Sequence, residues 1–310
     1  MMGSVHRSDR EEQIEAYRNA HETWGGEAER EAWVERRLES HRHNRAEWWV
    51  VTDNGEVAAS LGRYPLQFCL RGVIVDGFGV GAVHTRPAYR RRGYATRLVR
   101  QLHEERRAAG DALALLFSDI RPDFYRRLGY EVCADRRFET TELRLIAEGG
   151  GHCGLRPLDP ADQLEQVADW YEQTHRGGEL WLVRDRDYWE STLTENPDDR
   201  FFEVSDSGGE AVGYVRLGLG DERLDILEVA LAGADQQLRV GCYRALADLA
   251  IAGGQQKLHQ YFPPPHPLLN QFDDNRRDDE ITMIAGLDPD RSLSERWLKE
   301  HGRIWLSDHF

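Results

Sequence analysis

One stretch, Val80 to Glu131, constrains this chain more than any other: VGAVHTRPAYRRRGYATRLVRQLHEERRAAGDALALLFSDIRPDFYRRLGYE. It reads as an apolar strand, a basic turn closed by Gly93 and a long amphipathic helix, then a second apolar strand and a short helix carrying Tyr125. Arg90-Arg91-Arg92-Gly93-Tyr94-Ala95 falls where the first strand hands over to the helix. Backbone N–H groups at a helix N-terminus are unpaired, and the macrodipole adds partial positive charge there. A glycine lets the backbone come close to an anion, and flanking guanidiniums complete the cradle. The spacing therefore predicts a pyrophosphate site built into a strand–turn–helix.

The rest of the chain falls into order around that stretch. Arg10 to His21 and Glu27 to Ser40 read as amphipathic helices, with Ile14, Tyr17, Trp33 and Leu38 on their apolar faces. Glu47 to Thr52 is a strand, Asp53-Asn54-Gly55 a hairpin turn, and Val57 to Tyr64 the returning strand. Leu66 to Leu70 and Val73 to Thr85 form a further pair around Arg71-Gly72. Phe138 to Ile146 alternates as a half-buried strand and closes a first domain, residues 1–148. Glu148-Gly149-Gly150-Gly151 marks a linker over residues 149–152. A second domain, residues 153–280, carries helices over Asp162 to Thr174 and Arg184 to Leu193, three strands starting at Phe201, Ala211 and Leu224, and a long helix from Ala234 to Ala252. Residues 281–310 form an extension: a strand, the helix Leu293 to His301 and a last strand Arg303 to Leu306. The class is α+β, and the second domain repeats the first domain's plan without its basic turn.

Composition narrows the function. Hydrophobic residues at 40% and charged residues at 31% of 310 suit a soluble globular protein with room for two domains. No apolar run approaches the ~18 residues of a membrane span, and no secretory segment opens the chain, so a cytoplasmic protein without a membrane partner is expected. A net charge of −15 argues against nucleic acid and favours a cationic partner. Against that background the basic run Arg86 to Arg92 suits an anionic ligand held beside a cationic one. Cys69, Cys133, Cys153 and Cys242 show no C-x-x-C spacing and read as buried thiols of a reducing compartment. His41-x-His43 lacks further ligand spacing, so no metal is expected.

The order of parts resembles the GNAT (Gcn5-related N-acetyltransferase) superfamily, whose cofactor loop reads Arg/Gln-x-x-Gly-x-Gly/Ala. Here it is Arg90-x-x-Gly93-x-Ala95, and Tyr125-Arg126-Arg127-Leu128-Gly129-Tyr130 is similar to the family's Tyr-x-x-x-Gly-Tyr/Phe element. One domain with the loop followed by one without it resembles the Eis (enhanced intracellular survival) acetyltransferases. Those proteins add a sterol-carrier-like domain, of which residues 281–310 have room for a remnant. The resemblance implies two tandem GNAT domains, each a mixed, mostly antiparallel sheet with flanking helices, the second without a cofactor site. It implies acetyl-CoA as co-substrate and acetyl transfer to a primary amine, on a small molecule or a peptide: an aminoglycoside, a polyamine or a lysine side chain. Transfer of a longer acyl group, or acyl-CoA sensing without turnover, fits the same motifs. A homo-oligomer stays open.

Acetyl transfer requires the thioester to be held, its oxygen polarised, the ammonium deprotonated and the thiolate protonated. By the resemblance, Val83 and Thr85 bond the pantetheine along a splayed strand, while Arg90, Arg91, Arg92, Gly93, Tyr94, Ala95 and Thr96 hold the pyrophosphate. Ser118, at a strand end, either bonds the cofactor amide or caps the strand. Tyr125 is the candidate acid, since a phenol with an ordinary pKa of ~10 can protonate a thiolate of ~8.5 without ionising at rest. Its other reading is a packing aromatic. In Eis-like enzymes the matching tyrosine is the acid, and a terminal carboxylate on an aromatic or apolar residue enters the first domain's site. That points to Phe310, either as base or as the charge that holds the ammonium. Glu47, Asp119, His84 and His309 are the rival bases. The group Trp170, Tyr171, Trp181, Tyr188 and Trp189 reads as core packing.

Overall fold

Trp48, Trp49, Val50 and Val51 are consecutive and all buried, which a strand achieves only when both faces of its sheet are covered. Trp49 and Val51 point into one core cluster and Trp48 and Val50 into two others on the opposite face. The computed structural model describes residues 3–149, 151, 153–233, 235–261, 266–277, 280–288 and 293–309. Phe310 and, in the expected linker, Gly150 and His152 lie outside them, as does Ala234.

In the first unit the chain forms β1 (Ser4–Arg7), α1 (Arg10–Trp24), α2 (Arg30–Glu39), α3 (His41–Arg45), β2 (Glu47–Asp53), β3 (Glu56–Leu70) and β4 (Val73–Thr85). Then come α4 (Tyr94–Ala108), β5 (Leu113–Ser118), α5 (Asp123–Arg126) and β6 (Tyr130–Ala134). A capping box, Asp9 with Glu12, starts α1 and satisfies two backbone donors reciprocally. Tyr94, Leu98 and Leu102 recur at helical spacing and are buried, so α4 lays one face on the sheet and leaves Thr96 and Arg100 on another. Each such fully buried leucine contributes roughly 1.5–3 kcal/mol.

The second unit holds β7 (Arg136–Thr140), α6 (Leu143–Ala147), β8 (Gly154–Leu158), α7 (Leu164–His175), β9 (Leu180–Val183), α8 (Arg186–Glu195) and β10 (Arg200–Ser205). It continues with β11 (Ala211–Leu219), β12 (Arg223–Leu231), α9 (Gln236–Gly253), β13 (Lys257–Gln260) and β14 (Asp273–Arg276). After it the chain returns to the first unit with β15 (Ile281–Gly286) and α10 (Glu295–His301), and β16 (Gly302–Arg303) falls in the second unit. The first unit's sheet runs β1-β2-β3-β4-β5-β15-β6 and the second unit's β14-β7-β13-β12-β11-β10-β8. Each sheet contains one parallel pair joined through a long helix, β4 to β5 across α4 and β12 to β13 across α9. Two mixed sheets flanked by helices make this a tandem α+β fold.

Three expectations need correction. Phe138 to Ile146 is not one strand: after Thr140 the buried Leu143 and Ile146, three apart, form the face of the helix α6. Its strand portion, β7, pairs with β13 and β14, so the second unit begins at Ala134 and runs to Glu280, and the glycine-rich stretch falls inside it. Val57 to Tyr64 and Leu66 to Leu70 are one strand, β3, because pairing with β2 ends at Arg63 and Pro65 removes no donor from that ladder. Arg303 to Leu306 is not a last strand; pairing stops at Arg303, and a 3-10 turn follows over Leu306–Asp308. β15 joins the first sheet, with Ile281 opposite Ser118. No helix among the described residues is long and apolar enough to cross a membrane.

Candidate active site

The site begins with a strand that leaves its neighbour. β4 and β5 pair in parallel only from Gly77–Leu113 to Gly79–Leu115. A Cβ on Gly77 would meet the Leu113 carbonyl at 2.5 Å, so the close approach that opens this short pairing needs a glycine. Beyond it β5 stays paired with β15, while β4 bends at a bulge where the pairs Ser60–His84 and Gly62–Gly81 leave an extra residue. Ala82 takes φ +49° there, a left-handed conformation uncommon for alanine. Among the described residues Val80 to Thr85 therefore have no strand partner on the β5 side. An extended ligand with amide groups can complete that edge as an added strand does.

The turn that follows carries the anion cradle. Pro87–Tyr89 makes a 3-10 turn, Arg91 has φ +62° and Gly93 φ +79°, and α4 starts at Tyr94 with no side chain capping it. The first N–H groups of α4 are thus open, at the positive end of a 15-residue helix. A cavity of about 600 Å³ lies against them. It brings together Thr85, Arg90, Arg91, Gly93, Tyr94, Ala95 and Thr96 of the expected set, and adds Tyr89, Arg100, Phe124, Arg127 and Leu128, which were not expected.

Other expected residues stand elsewhere. Arg92 reaches Asp53 at 3.5 Å and lies over the Tyr89 ring. Tyr94 lines the cavity, and its hydroxyl donates to the same Asp53 carboxylate at 2.7 Å, so both side chains tie the loop to the end of β2. Arg90 donates from Nε to the Thr85 carbonyl at 3.1 Å. Ser118 is buried and donates to the Ile120 carbonyl at 2.7 Å, accepting from the Ile120 amide in return. That is the strand-end cap. Val83 is half-buried against the core cluster that also holds Val80, Leu116 and Tyr125.

Tyr125 is 8% exposed, edge-on to Phe124 at 4.9 Å and to Tyr130 at 5.8 Å, and its hydroxyl makes no hydrogen bond within the described residues. Burial, helped by the Asp119 carboxylate, pushes its phenol up to about 12. Of the rival bases, Glu47 pairs with Arg7 and Arg63, and His309 is exposed. His84 is buried edge-on to Trp24, and burial lowers its pKa, with Arg90 adding to the effect. His43 is held neutral by burial between Tyr17 and Trp48, its pKa pushed down to about 3. Among the described residues no three His, Cys, Asp or Glu are placed to hold a metal, and all four cysteines are buried and unbridged. The five aromatics Trp170 to Trp189 are buried in the second unit, where the Arg184 guanidinium lies over the rings of Tyr171 and Trp189 at 4.0 and 4.5 Å.

This geometry meets known proteins in sequence and in fold. Residues 4–133 match the family model for an acetyltransferase (GNAT) domain. An uncharacterised N-acetyltransferase of Streptomyces coelicolor is 28% identical over 197 residues, 58% of this chain and 47% of that protein. The chain spans about half the length of the curated relatives it matches. A conserved Enterococcus faecalis protein of unknown function superposes with a TM-score of 0.74 at 18% identity, over 93% of this chain and 73% of that one. Eis1 of Mycobacterium abscessus does so with a TM-score of 0.66 at 19% identity, over 92% of this chain and 74% of that one. At these identities the likeness is one of fold.

Proposed function

We propose that this chain, whose residues 4–133 match the GNAT acetyltransferase domain, is a cytoplasmic N-acetyltransferase of that family that moves an acetyl group from acetyl-CoA to the primary amine of a cationic acceptor. The observation that carries this reading is the uncapped N-terminus of α4, with Arg91 and Gly93 at positive φ, at the end of a strand whose edge is unpaired. The residues present fit the co-substrate: open amides and guanidiniums for its diphosphate, and the β4 edge at Val83 and Thr85 for its pantetheine amides.

The amine, once deprotonated, attacks the thioester carbon. The oxygen becomes an oxyanion, and its collapse breaks the C–S bond and releases a thiolate. Tyr125 is the proposed acid for that thiolate. Against a thiolate at its ordinary ~8.5, a phenol at about 12 would give up its proton uphill by roughly 5 kcal/mol. A thiolate formed in the same dry pocket is raised by the same burial, so the gap narrows there and not in water. The high phenol pKa also keeps the acid protonated throughout the neutral range. Phe310, outside the described residues, stays the proposed site of the carboxylate that receives or balances the ammonium's charge. An aminoglycoside, a polyamine or a lysine side chain each supplies such an amine, and the overall charge of −15 favours all three.

The test is thiol release from acetyl-CoA across those three amine classes, with the native chain and one extended past Phe310. Amine-dependent release is expected, and loss of release in the extended form would place a carboxylate of Phe310 in the reaction. Tight acetyl-CoA binding without release by any amine would favour a sensor. Release only from longer acyl-CoAs would change the donor.

A further inference from the structure

We infer that Arg100 and Arg127 form a second anion pole in the α4 cavity that recognises the 3′-phosphate of coenzyme A, so that the site distinguishes coenzyme A from its 3′-dephospho form. This rests on the acyl-CoA reading and extends it to a part of the ligand remote from the thioester.

The arginines around this cavity differ in what already occupies them. Arg86 pairs with Glu56 at 2.8 Å, Arg92 with Asp53 at 3.5 Å and Arg126 with Glu295 at 2.7 Å. Arg97 donates to the Gly3 carbonyl at 2.6 Å, and Arg90 to that of Thr85. Arg91, Arg100 and Arg127 line the cavity, and within the described residues none of the three side chains has a hydrogen bond or an ion pair. Three guanidiniums without a carboxylate partner face one space, and their summed positive potential favours an anion there. The chain has carboxylates in excess, 55 against 40 basic side chains, yet among the described residues none lines this cavity.

The three arginines come from three places around the cavity. Arg91 belongs to the turn, beside the open amides of α4. Arg100 lies six residues beyond Tyr94 on the same helix, about 9 Å along its axis at 1.5 Å per residue. It shares a face with Thr96, one turn earlier, which keeps it on the cavity side. Arg127 arrives from the other wall, just after α5, and Phe124 and Leu128 beside it give that wall an apolar surface. A ligand spanning this cavity thus carries an anion at the turn, an apolar portion, and a second anion between Arg100 and Arg127. The adenosine 3′-phosphate 5′-diphosphate end of coenzyme A has those three parts in one piece. A guanidinium pair matches a phosphate through parallel N–H donors.

The experiment compares coenzyme A with dephospho-coenzyme A by calorimetric titration, for the native chain and for R100A/R127A, at one salt concentration. The native chain is expected to bind coenzyme A at least about tenfold more tightly than the dephospho form, the effect of losing charge-assisted hydrogen bonds. The double variant is expected to bind both at the native chain's dephospho-coenzyme A affinity. Both side chains are exposed, so the melting temperature should stay put. Equal affinities in the native chain would overturn the inference whatever the variant does. A preference that survives in the variant would overturn the assignment to these residues. Binding of neither compound by the native chain would overturn the acyl-CoA reading itself.

Discussion

Helices α4 and α9 start at matching points of two β–α–β crossovers, and their first residues differ in every respect that matters to an anion. The start of α4 has Gly93 in the left-handed region, no capping side chain and arginines around a cavity of about 600 Å³. The start of α9 has Asp235 in an extended conformation, its carboxylate accepting from the Leu238 amide at 2.8 Å. One of the orphan donors is therefore already satisfied, and a negative charge already sits on the positive end of the dipole. The cavity there, about 340 Å³, adds the Asp206 carboxylate. The strands differ too. Past its pairing with β13, β12 carries Glu228, fully buried and bound by Arg184 at 3.1 Å and by Ser307 and Tyr214. Arg184 also binds Asp308 at 2.7 Å. The fold supplies a helix end and a strand gap twice; the cap residue and the local charge decide which can hold a diphosphate.

The largest way to break this contrast is to unseal the second unit. Arg184→Met leaves Glu228 and Asp308 buried side by side without a counter-charge, and should cost about 3–5 kcal/mol in denaturant titration. Burial pushes the Asp308 carboxyl up to about 6 from 3.8, Arg184 opposing and Glu228 adding to the shift. The folded state thus holds that proton more tightly than the unfolded chain. Its contribution is present at low pH and is lost as pH rises through about 6, so native melting should improve between pH 7 and pH 5, and Asp308→Asn should flatten that trend. On the first unit's side, Tyr125→Phe should lower kcat by roughly 10²- to 10⁴-fold in stopped assays, with acetyl-CoA affinity unchanged. Copying the second unit's cap onto the first, Gly93→Asp, should weaken acetyl-CoA binding roughly 10- to 100-fold. The smallest effect is the reverse edit: Asp235→Ala should cost about 1 kcal/mol of stability and leave acetyl-CoA affinity alone.

What the sequence disclosed follows the range of the physics involved. The Arg90 to Thr96 turn was legible because its chemistry is local: a glycine, a helix start and adjacent basic residues define it within one turn of chain. The ties of the Arg92 and Tyr94 side chains to Asp53 were not legible, because Asp53 is about forty residues away in sequence and reads there only as part of a hairpin turn. Arg100 and Arg127 went unnoticed for the same reason, since two arginines among many gain meaning only when α4 and α5 bring them to one cavity. Ser118 was offered two roles, and its hydroxyl makes the local hydrogen bond to the Ile120 carbonyl. Alternation misled at Phe138 to Ile146, where Thr141-Glu142 interrupts a strand and restarts the chain as a helix. No periodicity announces which sheet a five-residue strand such as β7 will join.

The measurement closest to the central claim is the stoichiometry of acetyl-CoA binding to the native chain, Arg91→Glu and Asp235→Ala by calorimetric titration. One site per chain, abolished in Arg91→Glu and unchanged in Asp235→Ala, is the predicted result. Two sites per chain, or affinity undiminished in Arg91→Glu, would contradict the assignment of acyl-CoA binding to the uncapped start of α4.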